Sequence, residues 1–140
     1  MYAFKVSLRS LVALSTLFLA ISALAQPNFI PYQPAGWSDK IVVSTATGTS
    51  TDSSPLTTAD TLYVDWALVN FTSTAAGSFT TSLYVDGVLK NSWGSASLGA
   101  STYTYVQDYS IGLLSAGTHT VTITGDSGST VAETNESDNS

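Results

Sequence analysis

Leu83-Tyr84-Val85-Asp86-Gly87-Val88-Leu89 is the stretch whose reading decides the fold. Asp-Gly supplies the two positive-φ residues of a type I′ turn, and the flanking residues are β-formers, so the segment predicts a two-residue β-hairpin. Upstream, Phe79, Thr81, Leu83 and Val85 fall on one face and Thr80, Ser82, Tyr84 and Asp86 on the other. Such a period of two marks a half-buried strand. Thr61 to Asn70 repeats it, with Leu62, Val64, Trp66 and Leu68 inward and Tyr63, Asp65 and Ala67 outward.

Further out, Thr102 to Ile111 reads as a strand with Tyr103, Tyr105 and Tyr109 on one face. Gly117 to Thr124 follows, with His119, Val121 and Ile123 facing the core. Asn28–Tyr32 and Lys40–Ser44 read as edge strands, since prolines such as Pro27, Pro31 and Pro34 cannot donate to a central ladder. The Ser/Thr/Gly-rich segment Thr45 to Ala59 reads as a long surface loop. The fold class is therefore all-β, an immunoglobulin-like antiparallel sandwich of about seven strands. A sandwich of this kind closes with a strand beside Gly117–Thr124, yet the polar run that follows holds none. The expectation is a domain over residues 26–140 that lacks its last strand, either truncated or completed by a strand from a partner.

The other end of the chain reads as an export signal. Lys5 and Arg9 precede an apolar run from Leu11 to Ile21, and Ala23-Leu24-Ala25 has the small residues of a cleavage site. Residues 1–25 are thus a signal peptide with cleavage after Ala25, and the mature chain is secreted or extracellular with no inserted segment. Of four basic side chains, only Lys40 and Lys90 then remain, against ten acidic ones. Nucleic-acid binding rests on Lys and Arg neutralising phosphates, so that class is excluded. Cysteine is absent, which leaves a core without disulfides and rules out thiol chemistry.

Several segments together resemble the bacterial cell-adhesion-related domain, CARDB. They are Ala116-Gly117-Thr118-His119-Thr120-Val121-Thr122-Ile123, Asp126, Val131-Ala132-Glu133-Thr134-Asn135-Glu136-Ser137-Asp138-Asn139, the hairpin Leu83–Gly87 and the strand ending Leu68-Val69-Asn70. Asp138 stands where the family usually has Asn, and the glycine that often follows the strand-ending asparagine is missing. The resemblance implies an extracellular immunoglobulin-like module, adhesive or a spacer, with no catalytic role and one further strand after this motif.

The residues nominate few sites. There is no Gly-x-Ser-x-Gly elbow, and the sole histidine, His119, occupies the place where sandwiches put a corner tyrosine bonded to backbone. No catalytic residue is assigned and no cofactor is called for, calcium apart. Asp126, Glu133, Glu136 and Asp138 gather oxygens near the C-terminal end and are candidate calcium ligands, although their spacing matches no EF-hand loop. Among the aromatics Trp37, Trp93, Tyr103, Tyr105 and Tyr109, the candidate ligand platform is Trp93, Tyr103 and Tyr105. The partner expected from this reading is a protein or a surface glycan. The main functional reading is a non-catalytic adhesion, protein-binding or spacer module; the alternative is a carbohydrate-binding accessory domain of a secreted hydrolase.

Overall fold

The computed structural model describes residues 24–140, so the signal segment read at 1–25 lies almost entirely outside the described residues. Seven strands follow one another among the described residues. They are β1 (Phe29–Pro31), β2 (Ile41–Ser44), β3 (Leu62–Asn70), β4 (Phe79–Val85), β5 (Val88–Ser95), β6 (Tyr103–Gly112) and β7 (Val121–Thr124). All pairings are antiparallel. In the first sheet β3 is central, with β6 on one side and β1 and β2 sharing the other. The second sheet runs β5-β4-β7. No helix among the described residues is long and apolar enough to cross a membrane.

The turn chemistry works as the sequence requires. Asp86 and Gly87 take φ of 51° and 75°, both in the left-handed region that the type I′ turn needs. The alternation in β3 and β4 then sends Val64, Trp66, Leu68, Phe79 and Leu83 into one buried cluster with Phe29 and Ile123. Burying each large apolar side chain contributes roughly 1.5–3 kcal/mol. Trp93 packs on this cluster too, its ring 5.2 Å from that of Trp66.

Strand β6 departs from simple alternation. Val64 pairs with Tyr109 and Trp66 with Val106, so Gln107 and Asp108 together oppose the single residue Asp65. Asp108 has φ 58°, and its N–H donates to Asp65 Oδ1 at 2.7 Å. A bulge of this kind reverses which face later side chains occupy. Tyr103 and Tyr105 consequently point outward, while Tyr109 points inward and stacks edge-on against Trp93 at 5.1 Å. This corrects the expectation of one tyrosine face.

The loop between β2 and β3 lies against the outer side of the first sheet. Gly48 N–H donates to Asp108 Oδ1, and Gln107 Nε2 to Ser50 Oγ. Asp65 is buried beneath that arrangement, and burial raises its carboxyl above the ordinary range, against the hydrogen bond from Asp108. After β7 the chain crosses the end of the sandwich without forming a strand and ties to β1. Thr134 N–H donates to the Pro27 carbonyl, and Asn135 N–H and Thr134 Oγ1 both donate to Asn28 Oδ1.

Candidate functional site

The outward face of β3 and β6 carries the feature of interest. Ala67 points outward, yet is only 1% exposed. Tyr105 is its partner on β6, and Tyr32 N–H donates to the Ala67 carbonyl from the β1 side. A small residue here leaves room for rings from both neighbours to meet. Tyr32 and Tyr103 lie 5.0 Å apart, and Tyr103 and Tyr105 6.1 Å apart.

Trp37 extends the strip. It follows a turn in which Trp37 N–H donates to the Pro34 carbonyl at 3.1 Å and Gly36 takes φ 89°. That is the position of a type II turn where only glycine sits without strain. Gln33 Nε2 donates to the Trp37 carbonyl and holds the turn closed. The indole then lies edge-on to Tyr105 at 6.4 Å. A shallow cleft of about 260 Å³ opens here, lined by Pro34, Ala35, Trp37, Tyr103, Tyr105 and Gln107. Tyr103 and Tyr105 are 47% and 53% exposed, an unusual amount of aromatic surface to leave in water.

Two members of the platform expected from the sequence, Tyr103 and Tyr105, are thus brought together. Trp93 is not with them: it sits on β5 facing the core, between Trp66 and Tyr109. Tyr32 and Trp37 stand in its place. Tyr32 carried no distinguishing sequence signal, since it joins the strip only through the pairing of β1 with β3. The strip is also not flat. Neighbouring rings are tilted by 42°, 39° and 85°, whereas stacking of successive sugar rings needs a common plane.

The acidic residues of the C-terminal run are engaged by the protein itself. Asp126 accepts from Thr130 N–H, Thr130 Oγ1 and Val131 N–H. Glu133, buried, accepts from Phe29 N–H and from Asn139 Nδ2. Glu136 accepts from Glu133 N–H, and Asp138 from Asn28 Nδ2. Glu133 and Asp138 thus fasten the tail to β1 and the residue before it, while Asp126 and Glu136 cap donors within the C-terminal run. Among the described residues no three His, Asp or Glu side chains form a group able to hold a metal ion.

His119 also serves a structural end. It lies just before β7, its side chain 20% exposed, and lines an end cleft together with Val43, Leu62, Ile111 and Val121. Nε2 is 2.9 Å from the Ser115 carbonyl, the backbone bond expected of a corner residue, and Nδ1 is 2.7 Å from Asp86 Oδ2 in the hairpin turn. Both partners are acceptors, so the ring fits best with both nitrogens protonated. The bond to Asp86, then that to Ser115, raise the imidazole above its ordinary 6.5, while the His119 bond depresses Asp86 below 3.8. A raised histidine stabilises the fold fully below its unfolded value and ceases to as pH climbs through its folded value. A depressed aspartate does so above its unfolded value and ceases as pH falls through its folded one. The melting-temperature gap between wild type and His119→Gln is therefore expected to be widest near about pH 5 and to close above neutrality. Thermal scans across that range check it; a gap that grows with pH contradicts the ion pair.

The two-layer antiparallel sandwich, with seven strands and no helix among the described residues, defines an immunoglobulin-like β module. The CARDB family matches residues 41–140, and the chain belongs to that family. Among solved structures it is similar to a domain of a Methanosarcina acetivorans protein assigned to the cell surface. The match has 23% identity, covers 82% of this chain and 86% of that one, and has a TM-score of 0.54. It is also similar to the CARDB domain of a Pyrococcus furiosus protein, determined in complex with di-metal ions. That match has 15% identity, 84% and 90% coverage, and a TM-score of 0.57. No curated protein matches the chain.

Proposed function

We propose that this chain is a non-catalytic adhesive module of a secreted or cell-surface protein, and that it grips a protein partner through Tyr32, Trp37, Tyr103 and Tyr105. The exposed aromatic strip carries this reading. Tyrosine and tryptophan offer large rigid contact area at little entropic cost, and both concentrate at protein interfaces. The tilt between neighbouring rings favours an uneven protein surface over a flat glycan. The leader expected at residues 1–25 and the assignment of a similar archaeal domain to the cell surface support an extracellular setting.

The test is adhesion of the purified chain to intact bacterial cells, with the cells untreated, protease-shaved or periodate-oxidised. Wild type is expected to adhere to untreated and periodate-oxidised cells and to lose shaved ones. Tyr103→Ser/Tyr105→Ser is expected to bind about tenfold or more weakly, the usual effect of losing central aromatic anchors. Loss on periodate treatment alone would transfer the strip to a glycan ligand. Undiminished binding by the double variant would remove the strip from the interface.

A further inference from the structure

The cleft beside the aromatic strip has a shape and a charge that narrow what enters it. Trp37 and Tyr105 stand at 85° to one another with ring centroids 6.4 Å apart, so the two rings wall a corner. Tyr103, tilted 39° from Tyr105, continues the second wall. All three line the same opening of about 260 Å³. An aromatic face carries a negative quadrupole and attracts a cation within about 6 Å of its centroid. Rings this close and set at right angles let one cation meet both.

The surroundings carry the matching charge. Ten Asp and Glu residues stand against Lys40 and Lys90 in the domain, and neither lysine lines the cleft. Acidic groups flank the opening. Asp52 Oδ2 accepts from the hydroxyl of Ser38, the neighbour of Trp37, at 2.8 Å, and Asp108 adjoins Gln107, itself a lining residue. A negative rim draws cations toward the opening, while the lining itself holds no charged residue.

That last feature separates the two basic side chains. A lysine ammonium is a strongly hydrated point charge, and an uncharged corner returns little for the water it gives up. An arginine guanidinium is flat and more weakly hydrated, lies against aromatic faces and keeps its N–H groups for hydrogen bonds. Gln107 is placed to take one. Its Nε2 is committed to Ser50 Oγ at 3.2 Å, which leaves the amide oxygen to accept.

We infer that the corner between Trp37 and Tyr105 is an arginine socket, in which the guanidinium of a partner protein's arginine lies against both rings and donates to Gln107 Oε1. The inference rests on the reading of the strip as a protein-binding surface and names the side chain that enters it.

Titration of the purified chain with acetyl-Gly-Arg-Gly-amide, acetyl-Gly-Lys-Gly-amide and acetyl-Gly-citrulline-Gly-amide, followed by NMR, tests the socket. The three indole N–H signals carry their own control, since Trp66 and Trp93 pack in the core. The arginine peptide is expected to shift the Trp37 signal saturably. It should bind about fivefold or more tightly than the citrulline peptide, which has the same shape and no charge, with lysine between them. Trp37→Leu, with the Trp66 and Trp93 signals in place, is expected to abolish that preference at the Tyr103 and Tyr105 ring signals. Equal binding of arginine and citrulline overturns the cation, and equal or tighter binding of lysine overturns the guanidinium. A preference that survives Trp37→Leu overturns the socket. Cells separate this inference from the reading beneath it. Adhesion is expected to fall when surface arginines are blocked with phenylglyoxal and to persist when lysines are acetylated. Adhesion lost on protease shaving but unchanged by phenylglyoxal overturns the arginine and leaves the protein-binding strip standing. An arginine preference in solution without adhesion to any cells keeps the socket and removes the adhesive reading.

Discussion

Asn70→Ala is expected to lower the unfolding free energy by about 3 kcal/mol or more, the largest effect of any polar substitution in this domain. Asn70 ends the central strand β3 and is wholly buried. Its Nδ2 donates to the carbonyls of Thr74 at 2.7 Å and Gly99 at 3.1 Å, and its Oδ1 accepts from Thr72 Oγ1 at 3.1 Å and from the N–H groups of Asn28 and Thr72 at 3.3 Å. One side chain thus pins the strand leading into β1, the turn after β3 and the segment before β6. Removing it leaves buried donors and acceptors without partners, each costing about 1–3 kcal/mol. Asn70→Asp sharpens the test, since a carboxylate keeps the acceptor and sets a second oxygen against the two carbonyls. Urea unfolding should place Asp at or below Ala in stability. If both variants unfold within about 1 kcal/mol of wild type, the network does not hold this end of the sandwich.

Glu133→Ala is expected to cost about 2–4 kcal/mol and to release the tail from β1. The side chain is 6% exposed and binds two donors on different parts of the chain, Phe29 N–H and Asn139 Nδ2. Glu133→Gln retains one oxygen and turns an NH₂ toward the other donor, so about half of the loss should remain. Amide exchange at Phe29 and in the Thr134–Asn139 tail is the direct readout, with fast exchange in both regions expected for the alanine variant. Burial raises the Glu133 carboxyl above its ordinary 4.5, opposed by the bonds from Phe29 and Asn139. The folded state therefore binds that proton more readily than the unfolded chain. Its titration favours folding below the ordinary value and ceases to as pH rises through the folded one. Acidification into that window should thus not detach the tail. Detachment on mild acidification would show that the carboxylate charge, rather than the acceptor geometry, holds it.

Much of the fold was legible because its signals are local. The hairpin at Asp86-Gly87 depends on the φ preferences of two adjacent residues, and the inward faces of β3 and β4 follow from a period of two within single strands. The same rule misplaced Tyr109. A bulge is created by the pairing of β6 with β3 around Asp65, and nothing within Thr102–Ile111 announces an extra residue there. The acidic run was read by composition, as oxygen ligands. In the structure its carboxylates accept from backbone and amide donors, one about a hundred residues away for Glu133 and others only four or five away for Asp126.

The site divides in the same way. That Tyr103 and Tyr105 share a face is a property of one strand, and the sequence alone determined it, together with the class of fold, the acidic balance and the family motif. That Tyr32 and Trp37 join them, and that Trp93 does not, was decided only by the tertiary structure. Strand pairing brings β1 beside β3, the Gly36 turn lifts Trp37 over Tyr105, and the sandwich core draws Trp93 onto Trp66. Each of these is a contact between segments far apart in the chain, and local periodicity carries no information about such contacts.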